Sequence, residues 1–126
     1  MNTVIAMAAT YTEISLEDME KFLKRAFRVL EPKKGVERRE VIYDLFLSPK
    51  VGVRVWTSIG PHSGTGADVG ADAIRVTFFN YQKNRPLLRG KSPIVKRTQN
   101  WRDSLRNRIE DIMEMYDEKE DYWESR

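Results

Sequence analysis

Val41-Ile42-Tyr43-Asp44-Leu45-Phe46-Leu47, the turn Ser48-Pro49-Lys50, and Val51-Gly52-Val53-Arg54-Val55-Trp56-Thr57 form one continuous stretch of the chain. Successive side chains of a strand point to opposite faces, so Val41, Tyr43, Leu45 and Leu47 share one face, as do Val51, Val53, Val55 and Thr57. Two alternating runs around a proline turn read as a β-hairpin with one apolar face. The other face carries Phe46, Arg54 and Trp56.

Working outward, Ile74, Val76 and Phe78 continue the apolar face in a third strand, with Arg75, Thr77 and Phe79 opposite. A short fourth strand is predicted through Ile94 to Arg97, because Pro86, Gly90 and Pro93 interrupt the chain before it. On the N-terminal side, Ser15 followed by Asp18 resembles a capping box and starts a helix. Its stripe is Met19, Phe22, Leu23, Ala26, Phe27 and Leu30, and Pro32 and Gly35 end it. A last helix begins near Asn100 as N-cap, with Asp103 at its third position, and carries Trp101, Leu105, Ile109, Ile112, Met113 and Tyr116 on one side. Beyond Asp117 the apolar period is lost, which predicts fraying or disorder.

The expected fold class is therefore α+β, with an N-terminal helix, an antiparallel sheet of three or four strands, a C-terminal helix and an acidic tail. The 126 residues suit one hydrophobic core. The expected organisation is an N-terminal extension over 1–14, a single α+β domain over 15–116 and an acidic C-terminal tail over 117–126. The order helix, three strands, helix is similar to that of double-stranded RNA-binding domains and of the core of single-strand annealing proteins. That likeness is one of order alone and assigns no residue.

The chain has no cysteine, which removes disulfides, thiolate metal sites and cysteine nucleophiles together. Neither an export signal nor an apolar run of membrane-spanning length is found, so a cytoplasmic protein without a membrane association is expected. Net charge is +3, but unevenly placed. Residues 1–82 are nearly neutral, with 11 basic and 10 acidic groups. Lys83 to Arg108 holds nine basic groups against Asp103 alone, and residues 109–126 hold eight acidic groups against two basic ones.

The basic band is the strongest functional signal, because Lys and Arg replace the counterions condensed on nucleic-acid phosphates. Its members are Lys83, Arg85, Arg89 and Lys91 on a loop, Lys96 and Arg97 beside the last helix, and Arg102 and Arg106 on it. A solvated helix face with a charged loop is the bland alternative, and ranks second. Arg54, Trp56, Arg75 and Phe79 on the second sheet face mix aromatic planes with guanidinium groups, the composition of single-strand binding platforms. A sheet with one helix on each face would instead bury Trp56 and Phe79 as core, and this is the preferred expectation.

Residues 59–70 are rich in glycine, but Gly64-Thr65-Gly66 lacks the Lys-Ser/Thr ending of a phosphate loop. His62 has no second histidine or cysteine to complete a metal site. No catalytic residue, metal ligand set or cofactor is assigned. The leading expectation is a non-enzymatic nucleic-acid-binding protein, for single-stranded DNA or RNA, that uses the basic helix and loop patch. A protein-interaction or oligomeric assembly module is the alternative, with a homo-oligomer or a protein partner for the acidic tail. A metal-dependent nuclease acting through Asp44 or Asp72 ranks third. The acidic tail is also placed to compete with nucleic acid for the band, so that removing 117–126 would tighten binding at low salt.

Overall fold

The computed structural model of the chain describes residues 14–37, 40–59, 71–88, 94–95 and 98–126. Helix α1 covers Leu16–Ala26 and is followed by a 3-10 turn at Arg28–Leu30. The strands are β1 (Lys33–Glu37), β2 (Glu40–Phe46), β3 (Val51–Ile59), β4 (Ala71–Asn80), β5 (Arg85–Pro86) and β6 (Ile94–Val95). Helices α2 (Trp101–Glu118) and α3 (Glu120–Ser125) close the chain. The arrangement is α+β, built on an antiparallel sheet.

The sheet runs β1-β2-β3-β4 in chain order, so each strand pairs antiparallel with the next. The far side of β4 is shared by two short strands. β5 pairs with its end at Phe79 and Asn80, and β6 with its start at Ile74 and Arg75. The predicted hairpin is present in the expected register, with Leu45 opposite Val53 and Val41 opposite Thr57.

Two strands escaped the sequence reading, which gave three or four. β1 lacks alternation because it is an outer edge: Lys33, Lys34 and Val36 are exposed, and Val36 is 64% accessible. Gly35 accordingly lies inside a strand, and the left-handed turn after α1 is made by Glu31 at φ 48°. β5 is two residues long and carries no period to read. Of the fourth strand expected over Ile94 to Arg97, Ile94–Val95 form β6, and Lys96 and Arg97 lie outside the described residues.

α1 starts as its sequence requires. The Ser15 hydroxyl accepts the Asp18 N–H at 3.0 Å, and Glu17 and Asp18 face the positive end of the helix dipole. α2 starts at the expected residue without a side-chain cap: the Asn100 carbonyl, not its amide, receives the Ser104 N–H. Met19, Leu23 and Phe27 from the first stripe and Trp101, Leu105, Ile109, Ile112 and Tyr116 from the second join Val41, Tyr43, Leu45, Val53, Val55, Val76 and Phe78 in one buried cluster. Phe22 and Trp101 meet edge to face at 5.6 Å, which joins the helices to each other. All the described helices therefore pack on one face of the sheet, and the expectation that the first and last helices lie on opposite faces is overturned.

The acidic end is also different from its sequence reading. Residues 120–125 form a helix docked by a single large side chain: Trp123 is buried, packs at 4.8 Å from Phe78, and donates its indole N–H to the Met115 carbonyl at 3.0 Å. The Glu124 carboxylate accepts from the Ser48 and Tyr116 hydroxyls at 2.6 and 2.9 Å. Lys50 donates to the Glu124 carbonyl and Lys83 to that of Arg126. One aromatic anchor replaces the missing period.

Tyr43 lies in the centre of the core, and its hydroxyl finds no hydrogen-bond partner among the described residues. Burial, and secondarily the Glu20 carboxylate, push its pKa up to about 12. The neutral phenol is thus the form the fold favours. Below about pH 10 neither folded nor unfolded Tyr43 ionises, and between about pH 10 and 12 only the unfolded chain does, so stability falls by up to about 1.4 kcal/mol per pH unit. Tyr43→Phe is expected to keep or raise stability at pH 7, because it removes an unpaired hydroxyl, and to gain on the wild type as pH rises above 10. Urea unfolding at pH 7 and pH 11 checks both.

Candidate functional site

The face of the sheet opposite the helices is organised in rows across the strands. One row runs Lys33, Asp44, Arg54, Thr77, with the charges alternating. The next runs Gly35, Ile42, Trp56, Arg75, and a third runs Phe46, Gly52, Phe79, Pro86. Antiparallel pairing at fixed register is what brings Trp56 and Arg75 side by side, although they lie on different strands.

The third row is sealed by the chain that follows β4. Asn80 is buried, and its side-chain oxygen accepts the N–H groups of Gln82 and Lys83, both at 3.0 Å, which folds the turn back over the sheet. Tyr81 then stacks on Phe46 with ring centres 4.1 Å apart and tilts against Phe79 at 5.3 Å. Gly52 makes room for it. A Cβ there would lie 2.3 Å from the Leu45 carbonyl oxygen, closer than real side chains approach, and would press on the Tyr81 ring at 3.0 Å.

The Tyr81 hydroxyl donates toward Asp44 at 3.1 Å. Burial, and then the Asp44 carboxylate, hold its pKa far above the usual phenol range, so this proton stays in place. Asp44 also receives Arg54 through both oxygens, at 2.9 and 3.2 Å. The two side chains are only 19% and 18% exposed. Arg54 in turn lies 4.0 Å over the Phe79 ring. Phe46, Tyr81, Asp44, Arg54 and Phe79 thus form one interlocked set.

The candidate residues of the sheet face accordingly divide in two. Phe79 is buried under Arg54, and Arg54 is engaged with Asp44. Trp56 is half-buried and Arg75 is exposed. Beside them opens a cavity of about 360 Å³ lined by Glu40, Ile42, Arg54, Trp56, Phe79, Asn84 and Pro86. Asn84 reaches it from a left-handed backbone at φ 53°. Sequence reasoning did not select Glu40, Ile42, Asn84, Pro86 or Tyr81. The period-2 pattern placed Ile42 on this face, but the turn residues carry no such signal.

The described members of the basic band are divided between two parts of the molecule. Arg102 and Arg106 are exposed on α2, on the helical side of the molecule. Arg102 stacks 4.5 Å over Trp101, and Arg106 lies 5.5 Å over Phe22 and 3.8 Å from the Asp103 carboxylate. Lys83 is exposed in the turn after β4, and Arg85 is exposed on β5. Arg89, Lys91, Lys96 and Arg97 lie outside the described residues, as do His62, residues 60–70 and the extension over 1–13. Arg102 and the end of α2 are about 24 Å apart along the helix axis, well beyond the ~8 Å screening length of physiological salt. The docked α3 therefore does not lie over Arg102.

Asp44, one of the two residues considered for metal-dependent cleavage, uses its carboxylate to hold Arg54 and Tyr81. Nothing is described of the side chain of Asp72. Among the described residues no cluster of three His, Asp or Glu stands at metal-binding spacing, and no helix is long and apolar enough to cross a membrane. Compared with family models, curated proteins and solved structures, the chain matches none.

Proposed function

We propose that this is a non-enzymatic nucleic-acid-binding protein that lays a single strand along the open face of its sheet. The observation that carries the reading is the packing of every described helix on the other face, so that among the described residues Trp56 and Arg75 stand adjacent and accessible next to a cavity. An indole plane stacks any base, and a neighbouring guanidinium takes its phosphate. Lys33 at one side of the sheet, and Lys83 and Arg85 beyond β4, extend the positive charge along the path of a backbone. Single strands are favoured over duplex because bases must be unstacked to reach a flat sheet.

Arg102 and Arg106 have a separate part in this reading. From the helical side they add long-range attraction and no stacking. The test is fluorescence anisotropy with single-stranded DNA, duplex DNA and RNA over a salt series. Single strands should bind tightest, with affinity falling steeply as salt rises. Trp56→Ala is expected to weaken single-strand binding about tenfold, on a stacking contribution of ~1–3 kcal/mol per base, with the salt slope unchanged. Arg75→Glu should weaken binding and flatten the slope. No detectable binding at low salt refutes the proposal.

A further inference from the structure

The cavity beside Trp56 has a chemistry more specific than general strand binding needs. Its volume of about 360 Å³ is at the small end of the ~300–1,000 Å³ typical of small-ligand sites. The walls are apolar or aromatic at Ile42, Trp56, Phe79 and Pro86, as a flat heterocycle requires. The polar residues of the lining are Glu40, Arg54 and Asn84, which carry a carboxylate, a guanidinium and an amide. An ionised carboxylate only accepts hydrogen bonds and a guanidinium only donates them. The pair with Asp44 occupies two of the five guanidinium N–H donors.

We infer that this cavity is a base-specific pocket for one unpaired guanine in the bound strand, with Glu40 as the residue that selects it. The inference rests on the strand-binding reading above. Guanine is the one common base whose Watson–Crick edge offers two adjacent donors, N1–H and the N2 amino group, which a carboxylate accepts together. Its opposite edge offers the N7 and O6 acceptors, which suit a guanidinium. Adenine and cytosine offer Glu40 only one amino group. Uracil and thymine flank their single N–H with two carbonyl oxygens, which the carboxylate repels. The indole of Trp56 supplies the stacking plane.

Five-residue DNA strands of thymidine with guanosine, inosine, adenosine, cytidine or thymidine at the centre test this, followed by tryptophan fluorescence. Trp101 and Trp123 are buried, so quenching by a stacked base reports Trp56. The guanosine strand is expected to bind about tenfold more tightly than the adenosine, cytidine and thymidine strands, consistent with a bidentate pair worth ~1–3 kcal/mol. Inosine, which keeps N1–H and lacks the amino group, should fall between. Glu40→Gln should reduce the preference to within about twofold, weakening the guanosine strand and tightening the all-thymidine strand because the repelling carboxylate is gone, and circular dichroism confirms that it folds. A guanosine preference that persists in Glu40→Gln overturns the assignment to Glu40. Equal binding of all five strands with quenching of Trp56 overturns the guanine pocket and leaves the sheet-face reading standing. Absence of binding by every strand overturns both.

Discussion

Asp44→Ala is expected to lower folding stability by about 3 kcal/mol, because it strands a mostly buried guanidinium without its counter-charge. The reason lies in the position of Asp44 in the interlocked set: it receives both Arg54 nitrogens and the Tyr81 hydroxyl. Removing it leaves two Arg54 N–H donors without an acceptor and the Tyr81 hydroxyl with the Val53 carbonyl alone, and loosens Arg54 from the Phe79 ring it covers. Asp44→Asn keeps an acceptor for both partners and should cost less, about 1–2 kcal/mol. Asp44→Ala combined with Arg54→Met should recover most of the loss, since an apolar chain on Phe79 needs no counter-ion. Urea unfolding of the wild type, Asp44→Ala, Arg54→Met and the double variant closes the double-mutant cycle. If the double variant is as unstable as the sum of its parts, the pair is not what holds this end of the sheet.

The second large effect is expected at the other side of the molecule. Trp123→Ala should cost about 4 kcal/mol, the usual range for deleting a buried indole. It removes the contact with Phe78 and the bond to the Met115 carbonyl together, and six residues of α3 have no other buried side chain to hold them. Trp123→Phe keeps the ring contact, loses only the hydrogen bond, and should cost about 1–2 kcal/mol. Deleting residues 117–126 is expected to destabilise the protein as much as Trp123→Ala does. It should tighten oligonucleotide binding at low salt only as far as it frees Lys83, because α3 is fixed to the Ser48–Lys50 turn and to Lys83, and not to Arg102. Thermal unfolding by circular dichroism and anisotropy on the same samples separate these results.

Much of the fold was legible because period carries burial. The hairpin, the third strand and both helical stripes are read directly from residues such as Val41, Val53, Phe78, Leu23 and Ile109, all buried as expected. Elements without a period were not. β1 is an edge with exposed side chains, β5 is too short, and α3 depends on one tryptophan in a run of charges. Which residues point to the second sheet face was also legible, but not what covers them. That outcome turns on Tyr81 folding back over Gly52, a contact between a turn and a strand that no local pattern encodes. The glycine itself was the available signal, since a strand interior without a Cβ often marks close approach of another group.

The docking of α3 also bears on the order of folding events. Most of the sheet pairs strands that follow one another in the chain, so much of it can form by short loop closures. The bond from Ser48 to Glu124 joins residues 76 positions apart and must close a far longer loop. It belongs on the native side of the folding barrier, with the hairpin formed before it. Weakening this clasp therefore accelerates unfolding and leaves the folding rate nearly unchanged. The lifetime of the native protein, as distinct from the speed at which it is reached, rests on the one aromatic side chain near its C-terminal end.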